Sequence, residues 1–287
     1  PLSYALVDYS ANSSVKIPRG PSRKRVERRS RKSKALRVQN RRNARPLFSM
    51  LTFTTSYTSV DSSFHLGDEK VDLYGLGVRV KTPWSVYFDM NFSAASLNAG
   101  IDESTGMEFG NSEVMFGFNW MELGGQFDRM IVDLVAGAMF GVEVSKLASQ
   151  RNDKYVGVIT QKKFVNMDLS LGMEYWFLDD GKYNETSVGG LQKYIASVGW
   201  SATADIRFDF TATFFRLSEV GNLGEGLAVS EFSPQLILGL SSNFHLILGG
   251  KFSSGIEYNE GEVGDLRMWN IPSLYGNSLF ANLSFTI

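Results

Sequence analysis

The sequence predicts an all-β protein: an antiparallel up-and-down transmembrane β-barrel of about 12 strands (residues 47–287), preceded by a basic arm without strands (residues 1–46). Three observations predict it. From Leu47 onward, apolar and polar side chains alternate with a period of two, in segments of roughly 9–11 residues, the length a tilted strand needs to cross a bilayer. Short and long connections alternate down the chain, which sets an even number of strands with both ends on the short-turn side. Trp84, Trp120 and Trp200 all fall in the apolar phase beside a short connection, where indole rings settle at a membrane–water boundary as part of one girdle.

The elements follow in order. The first two strands are read at 47–58 and 70–80. At 84–96, Trp84, Val86, Phe88, Met90 and Phe92 alternate with Ser85, Tyr87, Asp89, Asn91 and Ser93. At 112–121, Val114, Phe116, Phe118 and Trp120 share one face. The next strands are read at 128–145, 154–160, 164–177 and 189–200. At 205–216, Ile206, Phe208, Phe210, Ala212 and Phe214 alternate with polar neighbours. The tenth is 228–240. In the eleventh, 244–253, Phe244, Leu246, Leu248 and Phe252 oppose His245, Ile247, Gly249 and Lys251. The last is 278–287. Short turns are expected at 81–83, 122–128, 160–163, 201–204 and 241–243. Soluble sandwiches use strands of about 5–6 residues, so strand length favours lipid over a second sheet as the cover for the apolar face.

Composition agrees. No run of about 18 uncharged apolar residues is present, so no segment spans a membrane as a helix. Gly (28) and aromatics (13%) against 7 Pro favour strands. The absence of Cys excludes disulfides and thiolate metal sites and is compatible with an oxidising compartment. The chain opens on Pro1 without an initiator Met, which reads as a processed form.

The final strand, "NSLFANLSFTI", carries a resemblance. Leu279, Ala281, Leu283, Phe285 and Ile287 alternate to the terminus. This is similar to the C-terminal strand signal of bacterial outer-membrane β-barrel proteins, although the signal usually ends in Phe or Trp and here Phe285 is the nearest aromatic. The resemblance implies a bacterial outer-membrane location, with membrane lipid and lipopolysaccharide as surroundings.

By parity, the lumen is lined by Asp72, Asp89, Glu113, Asp133, Glu143, Asp168, Glu174, Asp205 and Asp209 and by Arg79, Arg129, Lys193, Arg207 and Lys251, with His245 beside them. A surplus of carboxylates suits a small cation-preferring pore; the same charges paired across a narrow lumen would instead form a structural network. A second set of acids lies in the long connections: Asp68, Glu69, Asp102, Glu103, Glu257, Glu260, Glu262 and Asp265. Such oxygens could hold Ca²⁺ or bridge cations to lipopolysaccharide, but their spacing matches no EF-hand, and solvated loops read the same way.

No cofactor and no enzyme activity are expected. Some outer-membrane phospholipases resemble the chain in strand number, but their His-x-Ser pattern is missing. Two residues after His245 stands Ile247, and two after His65 stands Gly67. "GNLGEG" (221–226) lacks the Lys-Ser/Thr and the helix of a phosphate loop.

Charge divides the chain. Residues 1–46 carry 14 Lys/Arg against Asp8 and Glu27, a net +12; the remaining 15 bases and 28 acids leave −13. The run 22–45, with Arg23, Lys24, Arg25, Arg28, Arg29 and Arg31, is too charged to fold alone. It lacks interleaved aromatics, so nucleic acid is not the expected partner. Two roles fit. The arm could enter its own acidic lumen as a plug, in the manner of autotransporter translocators. Alternatively it could lie in the periplasm and bind another envelope protein, with Leu2, Tyr4, Leu6 and Tyr9 as a peptide anchor. The expected function is therefore a structural anchor or scaffold in the outer membrane. The alternative is a transport protein, either a cation-preferring channel or a plugged translocator.

Overall fold

The computed structural model describes residues 49–61, 70–98, 107–125, 128–142, 152–179, 190–217, 228–254 and 277–287. The arm, Glu143, His65 and all eight long-connection acids lie outside these residues.

Twelve antiparallel strands close into a barrel: β1 (Met50–Asp61), β2 (Lys70–Lys81), β3 (Val86–Asn98), β4 (Glu108–Gly125), β5 (Asp128–Phe140), β6 (Asn152–Lys163), β7 (Met167–Phe177), β8 (Leu191–Ser201), β9 (Ile206–Leu217), β10 (Ala228–Gly239), β11 (Phe244–Ser254) and β12 (Ser278–Thr286). Each strand pairs with its sequence neighbours, and β1 pairs with β12 from Thr52↔Thr286 to Val60↔Ser278. The seam is sealed to its end by reciprocal bonds, Leu51 N donating to Ile287 O at 3.0 Å and Ile287 N to Leu51 O at 2.8 Å. Closure matters because a backbone N–H or C=O left open in hydrocarbon costs several kcal/mol.

The short connections are tight. Thr82 N donates to Val86 O (2.8 Å), Phe164 N to Met167 O (2.7 Å), Ala202 N to Ile206 O (3.0 Å) and Leu240 N to Phe244 O (2.9 Å). In the first turn Ser85 takes φ 64°, and its carbonyl accepts from Asn119 N at 2.8 Å, which anchors this left-handed residue to β4. Gly124 takes φ 91° next to the β4–β5 turn, where a side chain would be strained.

The structure corrects the sequence reading in three places. The sixth strand, read as 154–160 with a turn at 160–163, runs to Lys163. Lys162 reaches Asp128 on the outside, and Lys163 faces inward opposite Asp168, so both lysines belong to the strand and the turn is 164–166. Trp84 lies in the β2–β3 turn instead of beginning β3. β4 extends over Glu108–Gly125, because a bulge between Asn119 and Met121 accommodates Trp120 as an extra residue and the ladder with β5 continues past it.

Period two creates two surfaces. Outward positions such as Phe88, Phe116, Leu134, Val158, Leu171, Phe210, Leu248 and Leu283 form an apolar belt. At the short-turn end the belt is edged by Trp84, Trp120 and Trp200, which are 55%, 61% and 46% exposed, with Trp200 stacked on Phe208 at 5.8 Å. In its long-loop half lies a second aromatic set that the sequence reading had not picked out: Tyr57 against Tyr74 at 5.5 Å, Tyr175 edge-on to Phe177 at 4.9 Å, and Tyr194 beside Phe214.

A lipid cover makes a depth-dependent prediction. Phe210→Arg, in mid-strand, should lower the free energy of folding into lipid vesicles by about 2–4 kcal/mol, and Ile206→Arg, at the strand end, by about 0–1 kcal/mol. Urea titration of refolding measures both; equal losses would contradict the lipid belt.

Candidate functional site: the inner wall of the barrel

Inward positions carry the chemistry. Among the described residues the wall presents eight acids (Asp89, Glu113, Asp133, Asp153, Asp168, Glu174, Asp209, Glu231) and six bases (Arg79, Lys81, Lys163, Lys193, Arg207, Lys251). Most of them gather into three groups.

The first group sits on β2–β5 towards the short-turn end. Arg79 donates from Nε and Nη2 to the two oxygens of Asp89, both at 2.6 Å, a bidentate fork. Its guanidinium also lies 5.5 Å from the Tyr87 ring centroid. Tyr87 reaches on towards Asp133, its hydroxyl 3.5 Å from Oδ2.

The second group sits on β7–β9 at the same end. Arg207 donates from Nε to Asp209 at 2.6 Å and from Nη1 to Asp168, so one buried guanidinium serves two carboxylates. The guanidinium fits because Gly199, inward on β8, has no side chain; a Cβ there would collide with it.

The third group crosses β4–β11 in the long-loop half. Tyr155 donates to Glu113 Oε1 at 2.7 Å and stacks on Trp176 at 4.2 Å. Trp176 Nε1 donates to Glu174 Oε2 at 3.0 Å, and Lys193 Nζ donates to the same oxygen at 3.1 Å. Further round the wall, Lys251 Nζ lies 4.0 Å from Glu231 Oε1.

Glycines set how far these side chains project. Three large inward rings each face a glycine directly across the ladder: Tyr87↔Gly117, Tyr155↔Gly137 and Phe280↔Gly249. A Cβ at any of the three glycines would overlap the opposing ring. The rings therefore lie along the wall.

The sequence-expected lining residues distribute as follows. Arg79, Asp89, Glu113, Asp133, Asp168, Glu174, Lys193, Arg207, Asp209 and Lys251 face inward in these groups. Asp72 does not. It pairs with Ser59 on the outer face and accepts from the outward Tyr57 hydroxyl at 2.9 Å, because its register differs in parity from Arg79 on the same strand. Asp205 is exposed in the β8–β9 turn, one residue before β9 begins. Arg129 lies at the short-turn rim, paired with Glu122 at 2.7 Å and about 40% exposed (41%). Sequence reading missed Tyr87, Tyr155, Trp176, Asp153, Glu231, Lys81 and Lys163. The inward-phase glycines at 117 and 137 were the available signal for the two tyrosines.

Comparison with solved structures gives the same architecture. The chain is similar to an outer membrane channel from Pseudomonas putida F1 (10% identity, TM-score 0.57, covering 85% of this chain and 97% of that one). It is also similar to the NanC porin (10%, 0.51, 82% and 98%) and the KdgM porin (6%, 0.50, 82% and 98%). The chain has the fold of a bacterial outer-membrane β-barrel. No protein-family model and no curated protein matches the sequence.

Within this outer-membrane barrel, His245 faces the lumen near the short-turn end, directly across from Ser284 on β12, a proximity that sequence spacing could not show.

Ion pairing on the wall makes a second prediction. Arg207→Met, which leaves Asp168 and Asp209 without their shared cation, should destabilise the barrel by about 3–5 kcal/mol. The triple variant Arg207→Met, Asp168→Asn, Asp209→Asn should recover most of that loss in urea unfolding. A triple variant no better than the single one would contradict the pairing.

Proposed function

We propose that the protein is a transport protein of the bacterial outer membrane, a restricted channel that favours cations. The observation that supports this most is the inner wall itself. Burying six of these acids (Asp89, Glu113, Asp133, Asp153, Glu174 and Glu231) and three of the bases (Lys193, Arg207 and Lys251) carries a desolvation cost that a purely structural barrel has no use for, whereas a hydrated solute path needs a polar wall. The carboxylate surplus attracts cations. The glycine-seated rings keep bulk off the axis. The porins and the channel to which the fold is similar support the same reading at the level of architecture.

The experiment is single-channel recording of the full-length protein in a planar bilayer under a KCl gradient. Small discrete steps whose reversal potential favours K⁺ over Cl⁻ are expected. Silent bilayers despite verified insertion would overturn the channel.

A second reading is favoured by the arm. Its +12 charge, with Leu2, Tyr4, Leu6 and Tyr9 ahead of the basic run, suits docking in the periplasm onto an acidic envelope protein, which would make the barrel an anchor. Deleting residues 1–46 should then release a partner that co-purifies with the intact chain; an unchanged set of co-purifying proteins would remove this reading. Lipid and lipopolysaccharide are the proposed surroundings of the belt.

A further inference from the structure

We infer that Glu113 forms a binding site on the barrel wall for a cationic nitrogen group, an ammonium or a guanidinium, carried by the passing solute; this deepens the channel reading and rests on it.

Glu113 is 2% exposed and faces inward, between Asn91 on β3 and Met139 on β5. One carboxylate oxygen is used, since Oε1 accepts the Tyr155 hydroxyl at 2.7 Å. The other, Oε2, is buried and has no hydrogen-bond partner. A buried carboxylate oxygen left without a donor is costly, so a donor that arrives there with a positive charge gains most.

The surroundings show which donor fits. Lys193 demonstrates the geometry within the same group: its ammonium donates to Glu174 at 3.1 Å and lies 6.0 Å from the Trp176 ring centroid, a carboxylate on one side and an aromatic face on the other. Tyr155, stacked on that indole, carries the aromatic surface on to Glu113. Aromatic faces and a carboxylate together favour weakly hydrated organic cations. A hard metal ion needs several oxygen ligands, and among the described residues no cluster of three His, Asp or Glu side chains is placed to hold one.

Charge points the same way. Three carboxyl side chains, Glu113, Glu174 and Glu231, share this group with two amines, Lys193 on Glu174 and Lys251 near Glu231. Oε2 of Glu231 likewise lacks a partner.

Calorimetric titration of the detergent-solubilised full-length protein with methylguanidinium chloride tests the site without requiring current. One saturable site per chain is expected. Glu113→Gln should weaken it at least about tenfold, while Asp128→Asn, at the exposed β4–β5 turn, should leave it unchanged. Lys193→Met, which removes the resident ammonium and its charge, should tighten it by about tenfold, a gain that a merely structural role would not produce. No saturable heat with the wild-type protein, or equal binding by wild type and Glu113→Gln, overturns the site whatever the bilayer recordings show. Saturable, Glu113-dependent binding with silent bilayers keeps the site and overturns the channel instead.

Discussion

The whole structure depends on one constraint: no backbone hydrogen-bonding group can face hydrocarbon without a partner. An open sheet of these twelve strands would leave two unpaired edges, and the pairing of β1 with β12 removes both. The constraint explains why the ladder persists up to the terminal residue, with Leu51 and Ile287 exchanging both of their backbone bonds. It also explains why irregularities are few and local. The bulges at Phe92/Ala94 and Asn119/Met121 shift register without opening the sheet. Pro234 has no N–H to give, and its partner ladder with β11 resumes in the same register at Gln235↔Gly249.

Once closed, the sheet has an inside and an outside, and the pleat assigns alternate residues to each. Every strand is thus read twice, once by lipid and once by the lumen. The outer phase needs only apolar bulk, with aromatic rings at the two edges. The inner phase has a harder task, because a narrow cylinder crowds charged and aromatic side chains together. It is met in two ways. Opposite charges pair along the wall, as in the Arg79–Asp89 fork and the shared Arg207, and large rings occupy the space left by glycines on the adjacent strand. At Glu113 the pairing is incomplete, since Oε2 has no donor, and the proposed binding site is placed there.

The outer phase was legible in the sequence because burial in lipid imposes the same requirement on every strand; strand number and most spans followed from it. Errors arose where that requirement is weak. Lys162 and Lys163 look like a turn, yet one reaches an outward ion pair and the other faces the lumen. Asp72 and Arg79 cannot share a face of one strand, and only the register with β1 shows which of them turns outward. The inner constellation was only half legible. Parity names which charges face inward, but whether Glu174 meets Lys193, or Tyr155 reaches Glu113 from two strands away, depends on the stagger between strands. That stagger is set by turn geometry and bulges, which leave no periodic trace.

The chain contains no cysteine, so labels can be placed singly. Spin labels introduced by Phe210→Cys and by Thr211→Cys, adjacent on β9 and of opposite phase, can be compared in lipid bilayers for collision with oxygen, which concentrates in hydrocarbon. High oxygen accessibility at position 210 and low accessibility at 211 are the result that a lipid-covered, closed barrel requires. Equal values, or the reverse order, would contradict it.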